Sequence, residues 1–413
     1  MSNSFKVIDM VTKEALRIAH ERLAFIGSID RQYDDSFKDN GKGKQGSTLR
    51  VRDPNQYTRR QGSRVMDVQD QNESTQTITV ATQDGVDMRF NSAELIQSVN
   101  SDGAFDNLSK HYIEPAVAVL CSGIEADMLA YATKETYNVA GTAGTPITTL
   151  VVPGAARAKM NQCLAPKDSN RAIQMDSVTM GGLVNGVAAY FNPGTDLSKQ
   201  YREGMVARTA MADYYENERV WTLTNSNDVT GTTDAAAQVT DGGTTIDMGD
   251  TITNAAVGSV FTVDGVYSCH PETKAAYPSL QQFVVVSNAS GVCTVSPATI
   301  LTGAKKNVVS STGGTLATTD FNSKTVTFVG AASTSYVQPL MYHKEAFQFI
   351  TADLPLMDDA HKCVRRQKDG LSMRVWMGSD IRNDELLLRL DILYGMAALR
   401  PQWACRMIGA ANA

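Results

Sequence analysis

Near Val220 the character of the chain changes abruptly. Thr222 to Ser335 is rich in Thr, Val, Gly, Ala and Ser and poor in long charged side chains. It is punctuated by Gly-Gly, Asp-Gly and Ser-Gly pairs, as in VTDGGTTIDMGDTITNAAVGSVFTVDGV and FVVVSNASGVCTVSP. β-Branched residues between tight-turn dipeptides predict short strands, and a stretch of roughly 110 residues is of domain size. The flanks read as mixed helix and strand, so the chain is expected to be an α+β protein with a β-rich domain inserted in it. At 413 residues two or three cores are expected, because single cores stop growing near ~250 to 300 residues.

Between Val7 and Ile26, apolar Ile8, Val11, Ala15, Ile18, Ala19, Leu23 and Ile26 recur at steps of three and four, which puts them on one helical face. Such a helix either packs on its own core or reaches out as an arm. Alternation in Thr48-Leu49-Arg50-Val51-Arg52 and in Thr75-Gln76-Thr77-Ile78-Thr79-Val80 predicts two strands flanking a long polar loop. A loop of roughly twenty residues is long for an unstructured connection and usually has a function. From Lys38 to Arg64 the chain carries Lys38, Lys42, Lys44, Arg50, Arg52, Arg59, Arg60 and Arg64 against Asp39 and Asp53, and an acidic stretch follows. A basic arm beside an acidic segment suits docking on another copy of the chain, although a solvated loop would show the same charges.

From Phe105 to Tyr137, Ile113, Val117, Leu120, Ile124, Met128 and Tyr131 keep helical spacing, which predicts a helix about 45 Å long at ~1.5 Å per residue. Pro115 is expected to kink it or to mark its start. A further helix is expected to open near Pro153, a favoured first helical residue, and to end at Ala165-Pro166, followed by a strand at Ala172 to Met175 and an α/β layer continuing to Phe191. Leu386 to Ala398 reads as a closing strand, with Gly395 and Pro401 at strand ends.

Composition also excludes. The net charge of −6 argues against binding nucleic acid by neutralising phosphates. No apolar run approaches the ~18 residues of a membrane span, so no membrane role is expected. The charged N-terminal segment lacks the pattern of a secretory signal, implying synthesis in the cytoplasm. Six scattered cysteines without a CxxC pair predict reduced, mostly buried thiols rather than a zinc site or a disulfide framework. The five histidines form no HExxH or HxH pattern, GxSxG is absent, and the carboxylate pairs Asp34-Asp35 and Asp358-Asp359 lie in polar turns. Gly41 to Gly46 satisfies GxGxxG, but a polar segment precedes it and a β-like one follows, the reverse of a dinucleotide site. No catalytic site and no cofactor are expected. His343 reads as a core or interface histidine.

Several pieces recur in one order: Tyr33-Asp34-Asp35 with Phe37, then Arg50-Val51-Arg52-x-Pro54-x-x-Tyr57, a long helix, the β-rich block, then YHKEAF at 342–347 and Tyr394-Gly395 followed by Arg400-Pro401. Read together, QYDDSFKDNGKGKQGSTLRVRDPNQYTRRQG and the C-terminal LSMRVWMGSDIRNDELLLRLDILYGMAALRPQWACRMIG resemble the two ends of tailed-phage major capsid proteins of the Hong Kong 97 type fold, in the branch typified by the phage P-twenty-two coat protein.

The resemblance implies an N-terminal arm at 1–40, an extended loop at 41–80, a peripheral domain with a spine helix at 81–137, and an axial domain with the return to the peripheral domain at 138–221. An inserted β-barrel-like domain at 222–335 and the completion of the axial and peripheral domains at 336–413 would follow. It implies assembly rather than catalysis: a virion shell of pentamers and hexamers enclosing double-stranded DNA, with scaffolding, portal and decoration proteins as partners. Candidate subunit-interface residues are Arg50, Arg52, Arg59, Arg60 and Arg64 of the loop and Ile18 and Leu23 of the arm. Alternatives that share part of the pattern are a cellular nanocompartment shell, a tail or decoration protein, and a carbohydrate-binding module.

Overall fold

The structure is a computed structural model that describes residues 15, 23–31, 48–91 except 61, 63, 67 and 70–72, then 113–187, 212–357, 362–368 and 371–411. The predicted N-terminal helix therefore lies mostly outside the described residues, with Ile18 among those omitted. The chain divides into two compact units, one of residues 1–51, 76–128 and 347–397, the other of 52–75, 129–346 and 398–413.

The first unit is built on a five-stranded sheet. Its longest member, Glu385–Ala398, pairs antiparallel with Leu371–Asp380 on one side and with Thr82–Asn91 on the other; Lys362–Lys368 and Phe347–Ala352 complete it. Leu388, Leu390, Ile392 and Tyr394 are buried, as the alternation predicted, but so is Asp391 between them. Gly395, expected at a strand end, lies inside the strand, where a β-carbon would sit 2.4 Å from the carbonyl oxygen of Thr79. Close passage of the neighbouring backbone explains the glycine better than a turn.

The long helix runs Glu114–Glu135, and Pro115 is its second residue, so the proline marks a start rather than a kink. Its 22 residues span about 33 Å; residues 105–112 lie outside the described set. Contrary to the sequence reading, this helix is long and apolar enough to cross a membrane by length and composition. Val117, Leu120, Cys121, Ile124 and Met128 instead line the protein interior, and a carboxylate sits among them. That carboxylate, Glu125, accepts the N–H groups of Phe25 (3.0 Å) and Ala24 (3.2 Å), capping the short helix Ala24–Ser28 in place of a side-chain N-cap. Phe25 packs near Phe347 in a tilted arrangement, with ring centroids 6.3 Å apart.

Two larger hydrophobic cores lie in the second unit. Around one, the strands Val139–Ala140, Ala404–Met407, Leu340–His343, Arg171–Met175 and Asp213–Glu216 form a five-stranded mixed sheet packed by the helices Val151–Gln162 and Ser177–Val187. Pro153 is the third residue of its helix rather than the first. The other core belongs to the β-rich stretch, where a seven-stranded antiparallel sheet runs in the order Thr230–Thr232, Thr325–Phe328, Val260–Cys269, Ala276–Ala289, Val292–Thr299, Gly243–Asp247, with Val308–Val309 paired on Val260–Cys269. The two edge strands approach each other through the bonds Asp234 N–H to Asp247 O (3.1 Å) and Asp247 N–H to Ala237 O (2.9 Å). The sheet therefore curls around a filling of Phe261, Phe283, Phe321, Phe328 and buried aliphatic residues.

The β-rich sheet is fastened within this unit by polar contacts. The side-chain amide of Gln282 imitates a strand: its Oε1 accepts Val139 N–H (2.9 Å) and its Nε2 donates to Val139 O (3.2 Å). Arg406, fully buried, donates to the carbonyls of Thr136 (2.7 Å), Gly258 (2.6 Å) and Lys134 (3.3 Å). One guanidinium thus ties the C-terminal end of the long helix to the turn before Val260. Gly258 must be glycine, since its φ is +87° and a β-carbon would lie 2.7 Å from the Trp221 ring.

Candidate subunit-interface arm

The two strands expected from alternation both form, at Thr48–Arg52 and Thr75–Thr79, and they pair. Beyond them no regular strand continues among the described residues, yet the segment between is braced from within. Asp53 N–H donates to Ser74 O (2.9 Å), and Arg52 meets Glu73 at 3.4 Å. Further out, Gln69 spans the two limbs, accepting Thr58 N–H (2.8 Å) and donating to Thr58 O (2.7 Å). Past that bridge Arg60 Nη1 donates to Val65 O across a turn in which Gly62 takes φ +80°. A conformation that favours glycine and cross-limb bonds at three levels hold the segment as an arm.

The structure separates the sequence candidates by role. Arg50, Arg59 and Arg64 are exposed and have no hydrogen-bond or ion-pair partner among the described residues. Arg52 and Arg60 are exposed too, but each is engaged within the arm. Leu23 is buried within its own chain. Sequence reading passed over the apolar members of the arm. Tyr57, Val65, Met66 and Val68 are exposed, the last three by 76%, 79% and 77%. The signal was present in Ser63-Arg64-Val65-Met66-Asp67-Val68, an apolar interruption of an otherwise polar loop. Three adjacent arginine and apolar positions on a braced arm give the composition of an interface core, with aromatic and Arg anchors and little of the depleted Lys and Glu.

Elsewhere polar groups are inward-facing. His343 accepts Glu345 N–H at Nδ1 (3.3 Å), which leaves its Nε2–H to donate to Asp168 at 3.1 Å, and its ring meets Trp403 edge-on at 5.6 Å. It is a core histidine with both nitrogens engaged. Cys121, Cys269, Cys293 and Cys405 are buried, and all six cysteines are free thiols. Burial pushes the Cys405 thiol up to about 12 and that of Cys293 to about 11, the chemistry of inert packing groups.

Comparison with known proteins follows this geometry. A structure from Mycobacterium phage Che8 shares the fold with a TM-score of 0.51 at 9% identity, covering 93% of this chain and 90% of that one. The capsid of the cyanophage P-SCSP1u (TM-score 0.43, 11% identity, 89% and 85% covered) and that of Ralstonia phage GP4 (0.43, 7%, 94% and 88%) are more distant. No curated protein sequence matches the chain. Residues 216–409, just under half of the chain, match the sequence model of the P22 coat protein family, gene protein 5. Sequence and fold thus agree: residues 216–409 carry the pattern of the P22 coat protein family, and the chain as a whole shares its fold with a phage structure.

Proposed function

We propose that the chain builds an icosahedral shell of the Hong Kong 97 type, with copies in pentamers and hexamers enclosing double-stranded DNA, and that the arm at 52–75 joins neighbouring copies. The observation that carries this reading is the braced arm, on which the side chains of Tyr57, Arg59, Arg64, Met66 and Val68 are exposed. In this reading the β-rich stretch 222–335 is an inserted domain, the helix Glu114–Glu135 is the spine of a peripheral domain, and scaffolding and portal proteins assist assembly. The role is structural, with synthesis in the host cytoplasm. The same fold must occupy non-equivalent positions in a closed shell, which asks for arms that adapt while cores stay fixed.

The test is the double charge reversal Arg59→Glu with Arg64→Glu. The reading expects a subunit with parent-like unfolding that no longer forms shells. Normal shells from that variant would remove the docking role of the arm.

A further inference from the structure

The base of the arm is held by the β-rich sheet of its own unit. The loop Leu301–Asn307 places Lys305 Nζ 2.7 Å from Ser74 Oγ, which in turn donates to Asp53 Oδ2 at 3.2 Å. Ser74 and Asp53 are the residues whose backbones close the arm where its paired strands end. The loop that presents Lys305 is itself tightly fixed. Asn307 accepts Ile300 N–H (2.9 Å) and donates to Ala298 O (2.7 Å), while Asp241 accepts Leu301 N–H (2.7 Å) and the Thr302 hydroxyl. On its far side Lys306 O receives Lys274 Nζ (3.2 Å) and Cys269 Sγ (3.3 Å). A rigid loop carrying one lysine therefore meets the arm at its root, over a sequence separation of 231 residues.

We propose that Lys305 is a positioning residue for assembly: through Ser74 and Asp53 it sets the direction in which the arm leaves the body before any neighbour is present. A charged donor, a hydroxyl that both accepts and donates, and a carboxylate make a directional relay rather than a diffuse attraction. The relay lies at the pivot of the arm, where a small rotation moves the Arg59 to Val68 end furthest. The β-rich stretch thereby acts on shell building through the arm. This inference rests on the reading of the arm as the docking element, but its test does not depend on that reading.

Limited trypsinolysis of the unassembled full-length subunit reads arm opening directly, at Arg59 and Arg64. Loss of one partly exposed hydrogen bond, at the ordinary net strength of such bonds, raises the open population about three- to tenfold. Lys305→Ala is expected to speed cleavage at both arginines by that factor, with the thermal unfolding of the subunit unchanged, and Lys305→Arg is expected to restore slow cleavage. Ser74→Ala is expected to do the same as Lys305→Ala, and the double variant no more than either. Equal cleavage in parent and Lys305→Ala, or effects of the two substitutions that multiply, would overturn the proposal. If Arg59→Glu with Arg64→Glu still gave normal shells while Lys305→Ala sped cleavage, docking by the arm would fall and positioning by Lys305 would stand.

Discussion

The carboxylate of Asp391 fills the space that a side chain would occupy at Gly85: a β-carbon built on Gly85 lies 2.5 Å from Asp391 Oδ1 and 2.7 Å from Leu390 O. The two residues are register partners on adjacent strands, and Arg374 faces Asp391 from the other side. Arg374 Nη2 donates to Asp391 at 2.6 Å and Arg389 Nε at 2.7 Å. The row Arg374, Asp391, Gly85 is thus a buried ion pair accommodated by a missing side chain.

Gly85→Ala must displace either the carboxylate or the strand, and it is expected to destabilise the subunit by about 1 to 3 kcal/mol, the range of overpacked interiors. Asp391→Ala leaves the buried Arg374 without its counter-charge, at a cost of about 3 to 5 kcal/mol. Urea unfolding of the unassembled subunit measures both, and parent-like midpoints would show that the row contributes nothing.

Arg406 has carbonyl oxygens as its hydrogen-bond acceptors, and burial pulls its pKa down to about 9. Its fork serves three acceptors that no other residue type reaches together. Arg406→Lys is expected to lose about 2 to 3 kcal/mol, and Arg406→Met more, through orphaned carbonyls. Hydrogen exchange at residues 134–139 and 258–260 should rise selectively in both variants; protection equal to the parent's would contradict the fastening role.

Asp241 gives a lever on pH. The Thr302 hydroxyl and the N–H groups of Leu301 and Gly242 bond its charged form and hold its carboxyl below the ordinary value of 3.8. The unfolded chain therefore binds more protons in that range, so the stabilisation is present above pH 3.8 and is lost as pH falls below it. The loop Leu301–Asn307 is expected to loosen on acidification, read as faster hydrogen exchange at Leu301. Asp241→Asn should flatten that dependence, and an unchanged acid response in Asp241→Asn would place its origin elsewhere.

What the sequence made legible was periodicity. The strands at Thr48–Arg52 and Thr75–Thr79, the long helix and the β-rich stretch all follow from spacing or from turn chemistry, and each is present. Residues whose role depends on register were not legible. Asp391 sits in a row of leucines and isoleucines with an arginine two residues before it, a pattern equally suited to an exposed pair; only the pairing with Arg374 and Gly85 buries it. Arg406 stood as a lone charge in the apolar run Ala404 to Ile408, a signal of a satisfied buried cation, but its acceptors lie about 150 and 270 residues away. The arm was read from its charge, so Val65, Met66 and Val68 were missed although they adjoin the arginines. Gly395 was misplaced because a glycine that admits a crossing backbone and one that ends a strand look alike in sequence.

The most direct test of the account is sedimentation of the purified 44.6 kDa chain followed by cryo-electron microscopy of what sediments. The account predicts closed shells of uniform diameter whose capsomers have five- and six-fold symmetry, with density for residues 52–75 lying across the neighbouring copy. Closed shells in which that arm folds back on its own subunit, or assembly into open fibres, would contradict it.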